Sequence, residues 1–143
     1  MAQTNPAKLI SDHNFKLSVP GLDIGVFKVC HGLSMEFEVF EWAEGGNNEF
    51  VHHLPGRLRY PYLRLESGLT ESDAVQKWFW ATRLQAELKE ITIELLSQDG
   101  QVTRSWTFAD AFPIKWSGPT VAAASAAMAE ESLEIAHSGL KMA

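Results

Sequence analysis

The sequence predicts a mainly β protein with one α-helix, an antiparallel β-sandwich or partial barrel. Apolar and polar residues alternate with period two over most of the chain, the pattern of half-buried strands. An Asp99-Gly100 pair separates two such runs, as in a hairpin. Only one stretch, near residue 75, places its apolar residues at helical spacing. Strands, one helix, then more strands make an antiparallel sheet with the helix packed upon it.

In chain order, Phe15, Leu17 and Val19 alternate with Lys16 and Ser18 and stop at Pro20-Gly21. Phe27 and Val29 continue the pattern to a turn at His31-Gly32. Met35, Phe37 and Val39 alternate with Glu36 and Glu38, which predicts a half-buried strand running towards Trp42. Glu44 to Arg59 carries Gly45, Gly46, Pro55 and Gly56 and reads as a long loop between strands, and loops of that length are usually functional or disordered. Thr70-Glu71-Ser72-Asp73 has the form of a capping box, and Ala74, Val75, Trp78, Ala81 and Leu84 follow at helical spacing. Glu71 and Asp73 suit the positive end of that helix and Arg83 the other. Ile91, Ile93 and Leu95 lead into Asp99-Gly100, whose two residues can both take positive φ. On the return strand Trp106 and Phe108 are expected inward, buried with Leu95 and Trp116, and Thr103, Ser105 and Thr107 outward. Phe112, Ile114 and Trp116 form another run before Gly118-Pro119. Val121 to His137 is Ala-rich, so propensity reads helix, yet Leu133, Ile135 and His137 alternate as a strand would. Local physics leaves that choice open. Such a fold has open edges, and only Pro61 within Tyr60-Pro61-Tyr62 looks like a device that blunts one.

The length, 143 residues, fits one domain over 1–143, with room for a substantial core. With 45% hydrophobic and 21% charged residues and a net charge of −6, the chain is neither disordered nor a basic nucleic-acid binder. One cysteine, Cys30, excludes an internal disulfide and suits a reducing compartment. The N-terminal residues have no apolar run behind a basic start, so no secretory signal is expected. The weakly apolar stretch Val121 to Ala129 is far shorter than the roughly 20 residues of a membrane span.

No catalytic constellation is legible. His52 and His53 are adjacent, so their side chains diverge, and no ligand set completes a metal site; they read as surface histidines on a loop. Cys30 and His31 point to opposite faces of a strand and cannot form a nucleophile–base pair. The EGGNN segment lacks the Lys-Ser/Thr of a phosphate loop. Glu36/Glu38 and Glu130/Glu131 read as the solvated side of strands. Trp78, Trp106 and Trp116, with Phe79 and Phe108, read as core, whereas Trp80 is off the apolar phase. No catalytic residue, metal or cofactor is expected.

Taken in order, larger blocks resemble one family. VFKVCHGLSMEFEVFEWAEGGNN, then HHLPGRLRYPYLRLESG, a helix with Trp78, ITIELLSQDGQVTRSWTFADAFPIKWSGP and EESLEIAHSGL are similar to the tube proteins of contractile phage tails and extracellular injection particles. The likeness runs from about Gly25 to Leu140; only VAAASAAMA departs, standing where relatives carry more polar residues. The resemblance implies a structural, non-enzymatic subunit whose strands join those of neighbours into one inner barrel within a hexameric ring. Stacked rings would form a hollow tube inside a contractile sheath. The implied partners are further copies, a sheath protein, baseplate and spike proteins, and protein cargo in the lumen. No nucleic acid is implied, and no membrane insertion by this chain alone. Assembly in the bacterial cytoplasm and possible release of the particle follow from the same likeness. It also makes EESLEIAHSGL a strand. The ring-stacking loop would comprise Glu44, Gly45, Gly46, Asn47, Asn48, Glu49, His52, His53, Pro55, Gly56 and Arg57. A polar lumen wall would draw on Glu36, Glu38, Thr103, Ser105 and Thr107. Two alternatives stand beside this reading: a baseplate-proximal tube initiator, and a monomeric β-sandwich that binds a small ligand.

Overall fold

The computed structural model describes residues 14–46, 49–70, 73–118 and 130–141. Among the described residues, nine strands and one helix follow in the order β1 (Asn14–Val19), β2 (Leu22–His31), β3 (Glu36–Trp42), β4 (His52–Arg59), β5 (Leu63–Thr70), α1 (Ala74–Leu84), β6 (Lys89–Leu96), β7 (Val102–Ser117), β8 (Glu131–Ala136) and β9 (Gly139–Lys141). The mainly β, antiparallel expectation with one helix is met. Seven strands form one sheet in the order β6-β1-β2-β5-β8-β7-β9, and a further β6–β7 pairing closes it into a barrel. Closure pairs both sides of the strands, so the open edges expected from the sequence largely vanish inside the subunit. β3 and β4 stand apart as a two-stranded ribbon.

Leu17, Ile24, Phe27, Leu63, Leu65, Ile91, Ile93, Phe108, Leu133 and Ile135 fill the barrel. Their alternation with polar neighbours is what made these strands legible. Period two breaks once in β2. Gly25 pairs with Leu17 but Asp23 pairs with Ser18, so Ile24 is the extra residue of a bulge. That insertion lets both Ile24 and Phe27 point inward. α1 packs against β7 and β2 and adds Ala74, Val75 and Trp78 to the core. Its second half stands proud: Ala81 and Leu84, expected on the apolar stripe, are exposed. The helix begins later than the capping box implied. Thr70 is the last residue of β5, Asp73 is the N-cap without a side-chain cap bond, and Glu71 and Ser72 lie outside the described residues. Arg83 does occupy the last turn.

The Asp99-Gly100 hairpin forms, but not with two residues at positive φ. Only Gly100 is left-handed, at φ +79°, while the Gly100 N–H donates to the Ser97 carbonyl at 2.9 Å and the Ser97 N–H to the Gln101 carbonyl at 2.8 Å. This is a right-handed turn followed by a glycine bulge. The runs at 102–108 and 112–116 are one 16-residue strand, β7, rather than two. Asp110 at φ +51° and a register shift after Pro113 change its phase, so Ala111 and Pro113 point inward and Ile114 is 36% exposed. Trp106, expected to be buried, is half-buried beside the core, with the Arg104 guanidinium 5.3 Å from its ring. The tail choice resolves as strand where it is described. β8 pairs with β5 and β7 and buries Leu133 and Ile135, and tertiary pairing outweighs helix propensity. Val121 to Ala129 lie outside the described residues.

Candidate assembly surface

The segment read as a long loop contains a strand. β4 pairs antiparallel with β3, with Trp42 opposite His52, Glu41 opposite His53, Phe40 opposite Leu54 and Glu36 opposite Arg59. One extra residue on β4 between Pro55 and Leu58 shifts the register. Pro55 and Gly56 had marked this stretch as loop; a bulge in a two-stranded ribbon accommodates both. His52, His53, Pro55, Gly56 and Arg57 therefore belong to β4, so the histidines stand on a strand and not on a loop. Glu44, Gly45, Gly46 and Glu49 belong to the tip, and Asn47 and Asn48 lie outside the described residues.

β3 is a strand, as its alternation predicted, but it is not half-buried. Every residue from Glu36 to Trp42 is exposed. Phe37 is 57%, Val39 60%, Phe40 60% and Trp42 52% exposed, and on the return side Phe50 is 55% and Leu54 48% exposed. The alternation correctly located an apolar face, but none of the described residues of the same subunit covers it. Both faces carry apolar groups: Phe37 and Val39 on one, Phe40, Trp42 and Leu54 on the other. The signal was present in EFEVFEW, where Val39 and Phe40 bring both phases into play. A lone two-stranded ribbon is marginal in water, and an apolar surface of this extent marks an interaction site.

Polar contacts run across the ribbon. Glu38 pairs with Arg59, His52 Nε2 lies 3.2 Å from Glu44 Oε2, and His53 Nε2 lies 3.7 Å from Glu41 Oε1. The His52 ring also meets Phe50 edge-on at 5.0 Å and Trp42 at 5.7 Å. These are solvent-exposed pairs, which organise the tip more than they stabilise it. At the ribbon's base, the His137 ring lies 4.6 Å from that of Phe108 and 5.6 Å from that of Tyr60, and its Nε2 donates to the Pro61 carbonyl at 3.2 Å. Burial lowers the His137 pKa from its ordinary 6.5, against the backbone oxygens of Pro61 and Gly139. Beside it, Ser138 donates its N–H to the Ala109 carbonyl at 2.9 Å and its hydroxyl to Asp110 Oδ2 at 2.9 Å.

The lumen candidates fall on two separate sheets. Glu36 and Glu38 are on the ribbon. Ser105 and Thr107 are on β7, on the side away from the barrel interior, while Thr103 is the extra residue of a register shift between Val102 and Arg104 and donates to the Leu95 carbonyl at 3.0 Å. Ranks across β1, β6 and β7 continue that polar face: Ser105 beside Glu94 and Lys16, Thr107 beside Thr92 and Ser18. Cys30 is half-buried against the core, its thiol pushed up to about 12 by burial, while His31 is exposed and 3.6 Å from Glu66. Among the described residues no three His, Cys, Asp or Glu side chains cluster in a way that could hold a metal ion.

Comparison with known proteins places this architecture. Residues 11–141 match the sequence model of a family described as T4-like virus tail tube protein gp19. No curated protein matches the chain. Among solved structures, a chain of the sheath-tube complex of an extracellular contractile injection system (PVC, extended state) aligns with a TM-score of 0.73 at 22% identity, covering 97% of each chain. A chain of the anti-feeding prophage tube-terminating cap aligns at 0.73 and 24% identity, covering 99% of this chain and 91% of that one. A chain of the six-fold symmetrised anti-feeding prophage baseplate aligns at 0.69 and 21% identity, covering 99% and 96%. At these identities the likeness is one of fold.

Proposed function

The chain belongs to the T4-like virus tail tube protein family, and we propose that it is a structural subunit of the inner tube of a contractile, phage-tail-like injection system, its copies forming hexameric rings joined through the β3–β4 ribbon. The observation that carries this reading is the ribbon itself. It is apolar on both faces, and among the described strands it pairs only with itself. A head-to-tail contact of this kind closes into rings or continues as a filament. The six-fold symmetry of the baseplate structure above supports six subunits per ring. Residues 44–57, with the ribbon's apolar side chains, make the ring-to-ring contact on this reading. The lumen wall is the polar outer face of β7 with Thr103, Ser105 and Thr107, while Glu36 and Glu38 edge the ribbon. Strands of neighbouring subunits complete one shared inner barrel through the edges that the closed sheet still leaves, at β9 and at the ribbon.

Sheath, baseplate and spike proteins surround such a tube, and protein cargo occupies its channel. The subunit assembles in the cytoplasm of the bacterium that makes it and leaves only as part of the particle. Its work is mechanical, with no catalytic step. Negative-stain microscopy of the purified protein tests the reading. Stacked rings are the expected result. Single rings that never stack identify a tube initiator instead, and a protein that stays monomeric at high concentration overturns the assembly reading.

A further inference from the structure

The barrel carries a second uncovered apolar surface. On α1, Gln76, Phe79, Trp80 and Arg83 recur at i, i+3, i+4 and i+7 and so share one stripe, with Phe79 half-buried against the core next to Val75 and Trp80 turned outward. That stripe runs beside the far half of β7, and the two elements line a shallow groove: Gln76, Phe79 and Trp80 on one wall, Ile114, Lys115 and Trp116 on the other. Trp80 is 56% exposed and Ile114 36%. The phase change at Asp110 and Pro113 turns Ile114 outward, so the groove follows from the bend in β7. The Arg83 guanidinium sits 5.0 Å from the Trp80 ring. With Lys115, which has Glu134 opposite it on β8, it places two cations at the rim.

We propose that this groove receives the ribbon tip of a second copy of the chain, through the face that carries Phe40, Trp42 and Leu54. Two features on the two surfaces match. Both are apolar at the centre, and they are opposite in charge at the edge. Residues 36–59 hold five acids (Glu36, Glu38, Glu41, Glu44, Glu49) against Arg57 and Arg59, three negative charges in all with histidines neutral. Near the tip, the ribbon's other face is polar, with Glu41 opposite His53, so the face with Phe40, Trp42 and Leu54 is the one to dock. A strand of this length reaches roughly 20 Å, which suits a neighbour more than its own barrel. Aromatic anchors in an apolar pocket with complementary charges outside them are the usual anatomy of such a contact. The proposal deepens the tube reading and rests on it, because it specifies where the ribbon of one subunit lands on the next.

Disulfide trapping tests it. Cys30 is half-buried and its thiol pKa is pushed up to about 12, so introduced cysteines are the reactive ones. Leu54→Cys protein is mixed with Gln76→Cys protein, assembled and oxidised, with Leu54→Cys plus Thr103→Cys as the control pair. Cross-linked dimers should exceed the control several-fold. In parallel, Trp80→Glu should abolish tubes while the subunit remains folded by circular dichroism, and Lys115→Glu should raise the concentration needed for assembly. Wild-type tubes without enriched cross-links, or tubes of Trp80→Glu and Lys115→Glu like those of the wild type, overturn the docking and leave the tube reading intact. A wild-type protein that does not assemble overturns both.

Discussion

At the scale of single residues, burial decides which side chains matter for stability. Trp106 was expected in the core, yet it is half-buried, whereas Phe108 is only 2% exposed. Phe108→Ala should therefore cost about 3–5 kcal/mol and Trp106→Ala about 1–2, both read from urea denaturation. A larger loss at Trp106 would mean that the alternation was the better guide. Gly68 is a tighter constraint. A Cβ added there would sit 2.3 Å from the Phe27 ring, which is fully buried and cannot swing away. Gly68→Ala should cost roughly 1–3 kcal/mol by overpacking, and an unchanged midpoint would refute that contact. His137 makes stability depend on pH. Its folded pKa lies below the ordinary 6.5, so the unfolded chain binds the proton more readily. The contribution is therefore complete above pH 6.5 and is lost as pH falls from there through the folded pKa. His137→Phe should flatten the fall of Tm below pH 6.5, although it loses the bond to the Pro61 carbonyl. A slope identical to that of the wild type would remove His137 as the cause.

Secondary-structure elements show what period two can and cannot reveal. The strands that fill the barrel were legible because each alternates an apolar row with a polar one, and the row's cover lies in the same chain. β3 shows the limit: alternation reports that one face is apolar, not which molecule covers it. β4 is not legible in the sequence because Pro55, Gly56 and two histidines dilute its strand signal, and only pairing with β3 makes it a strand. The helix lies where its apolar spacing predicts, but its N-cap is Asp73 and not Thr70, because Thr70 ends β5. The tip residues of the candidate site were legible from their glycines and length. Its apolar anchors, Phe40, Trp42 and Leu54, were not, because local sequence does not tell a core face from an interface face. The ribbon's independence from the barrel yields a prediction. Val39 is opposite Pro55, so residues 40–54 can be replaced by Asn-Gly, a turn suited to closing the shortened hairpin. The protein should stay folded, with Tm changed by only a few degrees, and should form no stacked tubes. A collapse in Tm would show that the ribbon stabilises the barrel, and undiminished tubes would show that it does not join rings.

For the whole molecule the question is which surface faces the channel. A conduit that must release what it carries needs a wall without adhesive apolar groups. The barrel's interior is core, so the wall has to come from an outer face. The face across β1, β6 and β7 meets the requirement, with Lys16, Ser18, Thr92, Glu94, Ser105 and Thr107 in adjacent ranks. The α1 groove and the ribbon do not, since exposed Trp80, Trp42 and Phe40 would hold unfolded cargo. Ser105 and Thr107 stand opposite Glu94 and Thr92 on one side of β7, whereas Thr103 is the extra residue of a register shift, so Ser105 is the residue to test. The net charge of −6 per subunit is repeated at every position, and a narrow channel concentrates whatever field reaches it. On the proposed tube reading, basic cargo should then be held weakly and acidic cargo repelled. The measurement uses Ser105→Cys in assembled tubes, with Glu38→Cys as a ribbon comparator and Cys30 as an unreactive background. A small maleimide should label Ser105→Cys in long tubes, while a bulky one should react far more slowly and recover its rate when the tubes are sheared into single rings. Fast labelling by both reagents in intact tubes would place this face on the outside, and the wall would have to be sought elsewhere on the barrel.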